Sequence, residues 1–189
     1  MKNKFKYLII LVITILLMTG CFFPTKYVYF TPSSPQGKTY DNIPCGHVTN
    51  EKNAIKIKLN KNSIDINAYK NKNNKLVISI SVKDPNRDIN FDLKKILIKD
   101  TTLSINYLPI KHQLTSRNSI YFKKNSRDRE TILVHWITLT YDINFDAISN
   151  FSLVFPKGTL LQNNKNIKLL PIKFKKKEVN TAAYFTINC

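Results

Sequence analysis

From Ala54 onward, apolar and polar residues alternate with a period of two. Ile55, Ile57 and Leu59 alternate with lysines, and the same pattern recurs in short segments separated by clusters of turn-forming residues. This period is typical of β-strands with one buried face and differs from the 3.6-residue period of a helix. The predicted strands cover residues 55–59, 64–66, 76–82, 89–93, 96–98, 103–107, 120–122, 132–141, 151–155, 167–169 and 184–187.

Two segments depart from simple alternation. Residues 132–141 are apolar at nearly every position, which predicts a strand covered on both faces. Pro171 interrupts the run from Leu169 to Phe174. Because proline cannot donate a ladder hydrogen bond, this last strand is expected at a sheet edge or at a bulge.

Short strands with turns at regular intervals, and no segment of helical period, predict an all-β fold. We expect a single antiparallel β-sandwich, Ig-like, with a small β-barrel as the alternative. The length of 189 residues suits one domain, or one domain with an appendage. We see no internal repeat and no second domain.

The amino-terminal residues have the layout of an export signal. Lys2, Lys4 and Lys6 precede the apolar run 7–18, and small residues follow it. The ending 17–21, Leu-Met-Thr-Gly-Cys, resembles the lipobox of bacterial lipoproteins, with Met in the place where that class prefers Leu. The resemblance implies cleavage before Cys21, diacylation of its thiol (palmitate being a typical chain) and acylation of the new amino terminus.

The alternative is an uncleaved transmembrane anchor over residues 7–23. That run is short for the roughly 20 residues that a spanning helix needs, and Pro24 ends it. Both interpretations place the rest of the chain on the exported side of the cell membrane. Phe22, in place of an acidic residue after the cysteine, resembles the pattern of lipoproteins that two-membrane cells send to their outer membrane.

A spacer is predicted after the signal. Half of the 8 prolines lie between Cys21 and Cys45, with Ser, Gln and Gly around them. This composition is typical of an extended tether, within which residues 27–30 form at most a short edge strand. The predicted organisation is a signal peptide over 1–20, a lipid-anchored tether over 21–44 and the sandwich over 45–189.

Cys45 and Cys189 remain as a pair after lipidation of Cys21. In an oxidising compartment an even pair is expected to form a disulfide, which here ties the last residue to the start of the domain. Closing so long a loop stabilises the fold by roughly 4–5 kcal/mol on the chain-entropy estimate. Two unpaired buried thiols are the alternative.

The chain is strongly basic, with 30 Lys and Arg against 12 Asp and Glu and a net charge of +18. One dense cluster comprises Lys123, Lys124, Arg127 and Arg129. The other comprises Lys173, Lys175, Lys176 and Lys177, the candidate anion contacts. Behind an export signal nucleic acid is not an expected partner, whereas lipid head groups and acidic envelope polymers are. The competing interpretation is that the lysines only solvate outward strand faces.

Motifs for catalysis and metal binding are weak. Asp84, Asn86, Asp88, Asn90 and Asp92 resemble the first part of a calcium loop, but Ile89 and Lys95 replace its Gly and closing Glu. A turn followed by an exposed strand face is the simpler interpretation.

The histidines His47, His112 and His135 have no ligand spacing, and His135 is in phase with core residues. Four scattered glycines form no phosphate-binding loop, and no serine lies in a nucleophile elbow. We therefore predict no metal, no cofactor and no catalytic residue.

These observations favour a lipid-anchored cell-envelope protein that acts as a non-enzymatic interaction or assembly module for other envelope proteins. A basic module that binds anionic polymers or the membrane surface is the second hypothesis. An envelope hydrolase whose site is assembled from distant residues is the third.

Overall fold

The computed structural model describes residues 23–42, 52–122 and 129–183, and almost all regular structure within them is β-strand. A single 3-10 turn, Leu93–Lys95, interrupts the strands of this part. The strands are β1 Phe23–Ser33, β2 Gly37–Tyr40, β3 Ala54–Leu59, β4 Asn62–Lys70, β5 Lys75–Asp84, β6 Ile89–Phe91, β7 Leu97–Asp100, β8 Asn106–Tyr107, β9 Pro109–Phe122, β10 Arg129–Asn144, β11 Asn150–Val154, β12 Leu160–Gln162, β13 Lys165–Asn166 and β14 Ile172–Ala183.

The strands form two large sheets and one small one. The six-stranded sheet has the order β2-β3-β4-β5-β10-β9, and the five-stranded sheet has the order β1-β14-β11-β7-β8. A short sheet, β13-β12-β6, completes the fold. The sheets are antiparallel and are not closed into a barrel, so the prediction of an antiparallel β-sandwich is confirmed.

The alternation in the sequence places one face of each large sheet in the core. Ile64 and Ile66 of β4 and Ile78 and Ile80 of β5 are all at most 2% exposed. In the five-stranded sheet, Phe30 of β1 makes edge-to-face contacts with Phe145 and Phe151. Phe151 of β11 also stacks on Phe174 of β14, with 4.8 Å between the ring centres. Burying each such side chain stabilises the fold by about 1.5–3 kcal/mol, so the period of two is the main determinant of the sandwich.

The tether prediction requires correction. Residues predicted to be an extended spacer form β1 and β2, and Phe30 is fully buried. β2 pairs with β3 in the six-stranded sheet, with Gly37 opposite Ile57. A Cβ at Gly37 would lie 2.6 Å from the side chain of Ile55, so this close packing requires glycine. The proline-rich stretch is therefore part of the fold over residues 29–40.

Two compact units are distinguished. Residues 29–42 and 51–177 form the first unit, which contains the core described above. The second unit comprises residues 1–28, 43–50 and 178–189, of which 23–28 and 178–183 are described. In this second unit Lys26 and Glu178 form an ion pair at 2.7 Å. Because residues 29–42 belong to the first unit, the predicted division at residue 45 between tether and sandwich does not match the structure.

Several further strand predictions differ from the structure. Residues 167–169 lie in no strand, and only 106–107 of the predicted strand 103–107 do. β9 runs over 14 residues, although only 120–122 were predicted. β14 lies between β1 and β11, so the predicted edge position is wrong. Pro171 precedes the first residue of the strand and therefore removes no ladder hydrogen bond from it. β10 is buried on its inner face, but Trp136 on its outer face is 38% exposed, so the expected cover on both faces is wrong there. The predicted strand 184–187 lies outside the described residues.

Candidate interaction surfaces

β9 forms one edge of the six-stranded sheet. It pairs with β10 from Phe122 opposite Arg129 to Pro109 opposite Tyr141. Within the described part of the chain no strand pairs with its other side. Strands usually have about 5–6 residues, so a 14-residue edge presents an unusually long row of free backbone groups.

Large apolar side chains lie exposed on β9 and on the segment that leads into it. Leu114 lies opposite buried Ile137 and shares its core-facing side of the sheet, yet it is 47% exposed. The core therefore does not extend beneath β9. We call the following exposed residues the β9 surface: Leu103, Ile105, Leu108, Ile110, Leu114 and Ile120.

His135 of β10 lies in a polar chain next to this edge. Its Nδ1 is 2.8 Å from Oγ of Ser116 in β9, and its Nε2 is 3.5 Å from Oδ2 of Asp84 at the end of β5. The ring also packs edge-on against Phe91 at 5.3 Å. Sequence reasoning named His135 but missed both partners, because they are 19 and 51 residues away in the chain.

Serine, histidine and aspartate are the residue types of a hydrolase triad, so their arrangement matters. Here the carboxylate of Asp84 also accepts the backbone N–H groups of Asp88 at 3.2 Å and Ile89 at 3.0 Å. Asp84 is fully buried and holds the turn between β5 and β6. The three side chains thus contact one another and the backbone of this turn. These contacts support a structural role for them, in which they join β9, β10 and the turn.

Asp88 in the acidic turn is held by side-chain amides. Its Oδ2 accepts hydrogen bonds from Gln162 and Asn163, both at 3.0 Å, and its Oδ1 accepts one from Asn62 at 3.4 Å. These bonds, led by the one from Gln162, lower the pKa of Asp88. The carboxylate therefore faces donors supplied by the protein.

Asp92, the last carboxylate of the calcium-like pattern, pairs with Lys95 at 2.8 Å. Its pKa is lowered, chiefly by the hydrogen bond from Lys95. Among the described residues no three or more His, Cys, Asp or Glu side chains are grouped to hold a metal. The geometry of this turn agrees with the structural interpretation of the pattern.

The four lysines predicted as anion contacts do not share one environment. Lys173, Lys175 and Lys177 are exposed, whereas Lys176 turns toward the core. The Nζ of Lys176 donates to the carbonyl of Asp146 at 2.8 Å and lies 5.7 Å from the ring centre of Phe30. Burial lowers the pKa of Lys176. Only the other three lysines are placed to meet a ligand.

A further lysine joins them on the outer side of the five-stranded sheet. Ser152 of β11 lies opposite Lys173 on one side and opposite Lys99 of β7 on the other. Lys175 lies opposite Asn150 in the same ladder. We call Lys99, Lys173, Lys175 and Lys177 the basic face.

Several predicted residues lie outside the described residues. These are Cys21, Cys45, His47, Lys123, Lys124, Arg127 and Cys189. Lipidation of Cys21 and the Cys45–Cys189 disulfide therefore stay predictions. In the ranges that the structure describes, no helix has the length and apolar character needed to span a membrane.

Comparison of the chain with protein-family models, with curated proteins and with solved structures gave no match.

Proposed function

We propose that the protein is a lipid-anchored component of the cell envelope whose β-sandwich binds a partner protein by adding a strand of that partner to β9. The observation that supports this proposal is the 14-residue edge, which no other strand of the described residues pairs with and which exposed apolar side chains flank. In strand addition, main-chain hydrogen bonds supply affinity and side chains at alternate positions supply specificity. The lipobox-like ending at Cys21 supports the anchor.

The charge of the edge indicates the partner's chemistry. β9 carries Lys111 and Arg117 and contains no Asp or Glu. A second copy of the chain, with its net charge of +18, would meet this edge with like charge. We therefore infer an extended partner segment with apolar residues at alternate positions and acidic residues facing Lys111 and Arg117.

A photo-crosslinking amino acid placed in turn at Ile110, Leu114 and Ile120 of the full chain tests this proposal in cells. We expect all three positions to capture the same partner, and the crosslinked peptide to be an acidic, alternating segment. Tyr69, which is 41% exposed on β4 of the same sheet, is the matched control position and should not capture it.

A synthetic peptide of the captured segment should bind the purified protein. The double variant L114K/I120K should abolish that binding while the free energy of unfolding stays close to that of the parent, because both side chains are already exposed. Equal capture from Tyr69, capture of a second copy of the chain, or peptide binding that L114K/I120K leaves unchanged would each overturn the proposal.

The anchor is tested separately by Cys21→Ser. The substitution should abolish fatty-acid labelling, and an inhibitor of lipoprotein signal peptidase should leave a heavier precursor of the parent chain. Normal labelling of the serine variant would refute lipidation without affecting the β9 proposal.

The basic face supports a second candidate function, attraction to anionic envelope polymers or lipid head groups. Lys99 and Lys173 flank Ser152 across three neighbouring strands, and Lys175 follows two residues along β14. Strands lie about 4.8 Å apart, so these ammonium groups form a broad array and not a tight pocket. Such an array favours general attraction over recognition of one phosphate.

A further inference from the structure

A polar groove of about 280 Å³ lies on the outer side of the six-stranded sheet. Trp136 of β10 lies opposite Ser81 of β5, and Ser81 lies opposite Asp65 of β4. In the next row Asn67 lies opposite Ser79. These five side chains line the groove, to which Tyr40 and Asn42 also contribute. Two strand spacings separate Asp65 from Trp136, a span of roughly 10 Å.

Trp136 is unusual at this position. It is the only tryptophan of the chain, it lies on an interior strand of the sheet, and it is 38% exposed beside a row of polar side chains. An exposed indole presents a large, rigid apolar face with a single N–H donor. Next to hydroxyl, amide and carboxylate groups, this face suits a ligand that is apolar on one side and polar along its edge.

The charge in the groove is balanced. The carboxylate of Asp65 lies 3.4 Å from the ammonium of Lys56. Asp65 also accepts a hydrogen bond from the hydroxyl of Tyr40, and burial together with this carboxylate raises the pKa of Tyr40. On a chain of net charge +18, the groove therefore has a matched ion pair and no excess of cations. It is not arranged to select an anion.

The donors and acceptors in the groove match a hydroxyl-rich ligand. Ser79 and Ser81 can each donate and accept, Asn67 does both through its amide, and Asp65 accepts. A pyranose ring has an apolar C–H face that stacks on an aromatic ring and hydroxyls around its edge that need both kinds of partner. We propose that this groove is a binding site for a neutral saccharide, with the sugar ring on Trp136 and its hydroxyls on Asp65, Asn67, Ser79 and Ser81.

The proposal is independent of the β9 edge and of the lipid anchor. Its test uses the full-length protein in a detergent without a sugar head group, titrated with chitobiose, cellobiose and maltose. Because Trp136 is the only tryptophan, its fluorescence reports directly on the groove, and calorimetry gives the affinity. We expect at least one disaccharide to shift the emission and to bind saturably.

Trp136→Ala should weaken that binding at least about tenfold, since stacking on the ring is lost. Ser81→Ala, a smaller change that preserves the strand, should weaken it several-fold. The control Tyr69→Ala removes an exposed aromatic side chain on the same side of β4 but outside the groove, and it should leave the affinity unchanged.

Four results would overturn the proposal. One is the absence of binding for all three disaccharides, and another is binding that Trp136→Ala and Ser81→Ala both leave intact. Equal losses in Tyr69→Ala would indicate attraction to exposed aromatic side chains in general. A response of Trp136 to inorganic phosphate or to a sulfated disaccharide, with none to the neutral sugars, would show that the groove selects anions.

Discussion

The Nδ1 atom of His135 lies 2.8 Å from the Oγ atom of Ser116, and this contact joins β10 to the edge strand β9. It is a polar contact on a buried ring, since the residue is 8% exposed. The other ring nitrogen faces Asp84 at 3.5 Å, so both polar atoms of the imidazole have a neighbour inside the protein. The chain of three side chains thus fixes the edge strand to the turn between β5 and β6.

Replacement of His135 by alanine is expected to lower the free energy of unfolding by about 2–4 kcal/mol. The change removes a buried ring packed on Phe91 and leaves Asp84 and Ser116 without that partner. Chemical denaturation measures the effect. His112→Ala is the matched control, because His112 is exposed on β9, and it should change stability by less than about 0.5 kcal/mol. Equal effects of the two substitutions would contradict the structural role of His135.

Acid should destabilise the protein partly through Asp88. Its pKa in the folded state is lowered, so its ionised form adds stability that is complete above the unfolded-state pKa of about 3.9 and is lost as the pH falls through the folded-state value. Asp88→Asn should therefore reduce the loss of stability below about pH 4. Urea unfolding at a series of pH values measures this.

Gln162→Ala removes the leading hydrogen bond to Asp88 and should reduce the same acid-dependent loss without removing the carboxylate. Asn164→Ala, an exposed neighbour in the β12–β13 turn, is the control and should preserve it. Identical pH profiles for the parent, Asp88→Asn and Gln162→Ala would show that these hydrogen bonds do not stabilise the fold.

Phe30 distinguishes a folded amino-terminal segment from a tether. Phe30→Ala should lower the free energy of unfolding by about 3–5 kcal/mol, because its ring is fully buried among other aromatic rings. Pro35→Ala in the exposed turn before β2 should have little effect. If the two variants are equally stable, residues 29–40 do not belong to the sandwich.

The basic face should attract anionic surfaces weakly and without a dedicated site. The triple variant K173Q/K175Q/K177Q should reduce binding of the protein to phosphatidylglycerol vesicles only in proportion to the charge removed. The control K58Q/K61Q/K72Q, also three exposed lysines, should reduce it equally. Binding should fade as salt is raised, since the Debye length is about 8 Å at physiological ionic strength.

A dedicated anion site would give a different result. Binding would then disappear in K173Q/K175Q/K177Q and persist in the control. Lys176→Gln should affect stability more than vesicle binding, because Lys176 contacts the carbonyl of Asp146 and two aromatic rings.

The predicted Cys45–Cys189 disulfide is open to direct mapping. Non-reduced peptides from envelope-purified protein should contain the two residues linked. Recovery of both as free, alkylatable thiols would refute the prediction.

The sequence predicts the strands whose residues alternate strictly, and β3, β4 and β5 illustrate this. It does not predict most of β9, because residues 111–119 have few apolar side chains and an exposed edge places no hydrophobic requirement on them. It also does not predict that prolines near the amino end lie in strands, since Pro32 is buried in β1 through pairing that only the whole fold provides.

The candidate surfaces differ in how far the sequence could reveal them. Alternation predicts that Lys173, Lys175 and Lys177 share one side of β14 and that Lys176 lies on the other. The residue type alone does not show that Lys176 contacts the aromatic core. The rows that bring Trp136 to Ser81 and Asp65 depend on the pairing of three strands. In the sequence, Ser81 and Asp65 lie 55 and 71 residues before Trp136. Sequence reasoning has no local signal for such a groove.

The place of β1 beside β14 affects how the chain folds. Ser33 at the end of β1 donates to the carbonyl of Lys173, 140 residues later in the sequence. Synthesis proceeds from the amino end, so β1 waits for its neighbour until nearly the whole chain has been made, whereas β3, β4 and β5 pair as soon as each hairpin emerges. During that interval the aromatic side chains of β1 lack the neighbouring strand β14 that lies beside β1 in the folded sheet.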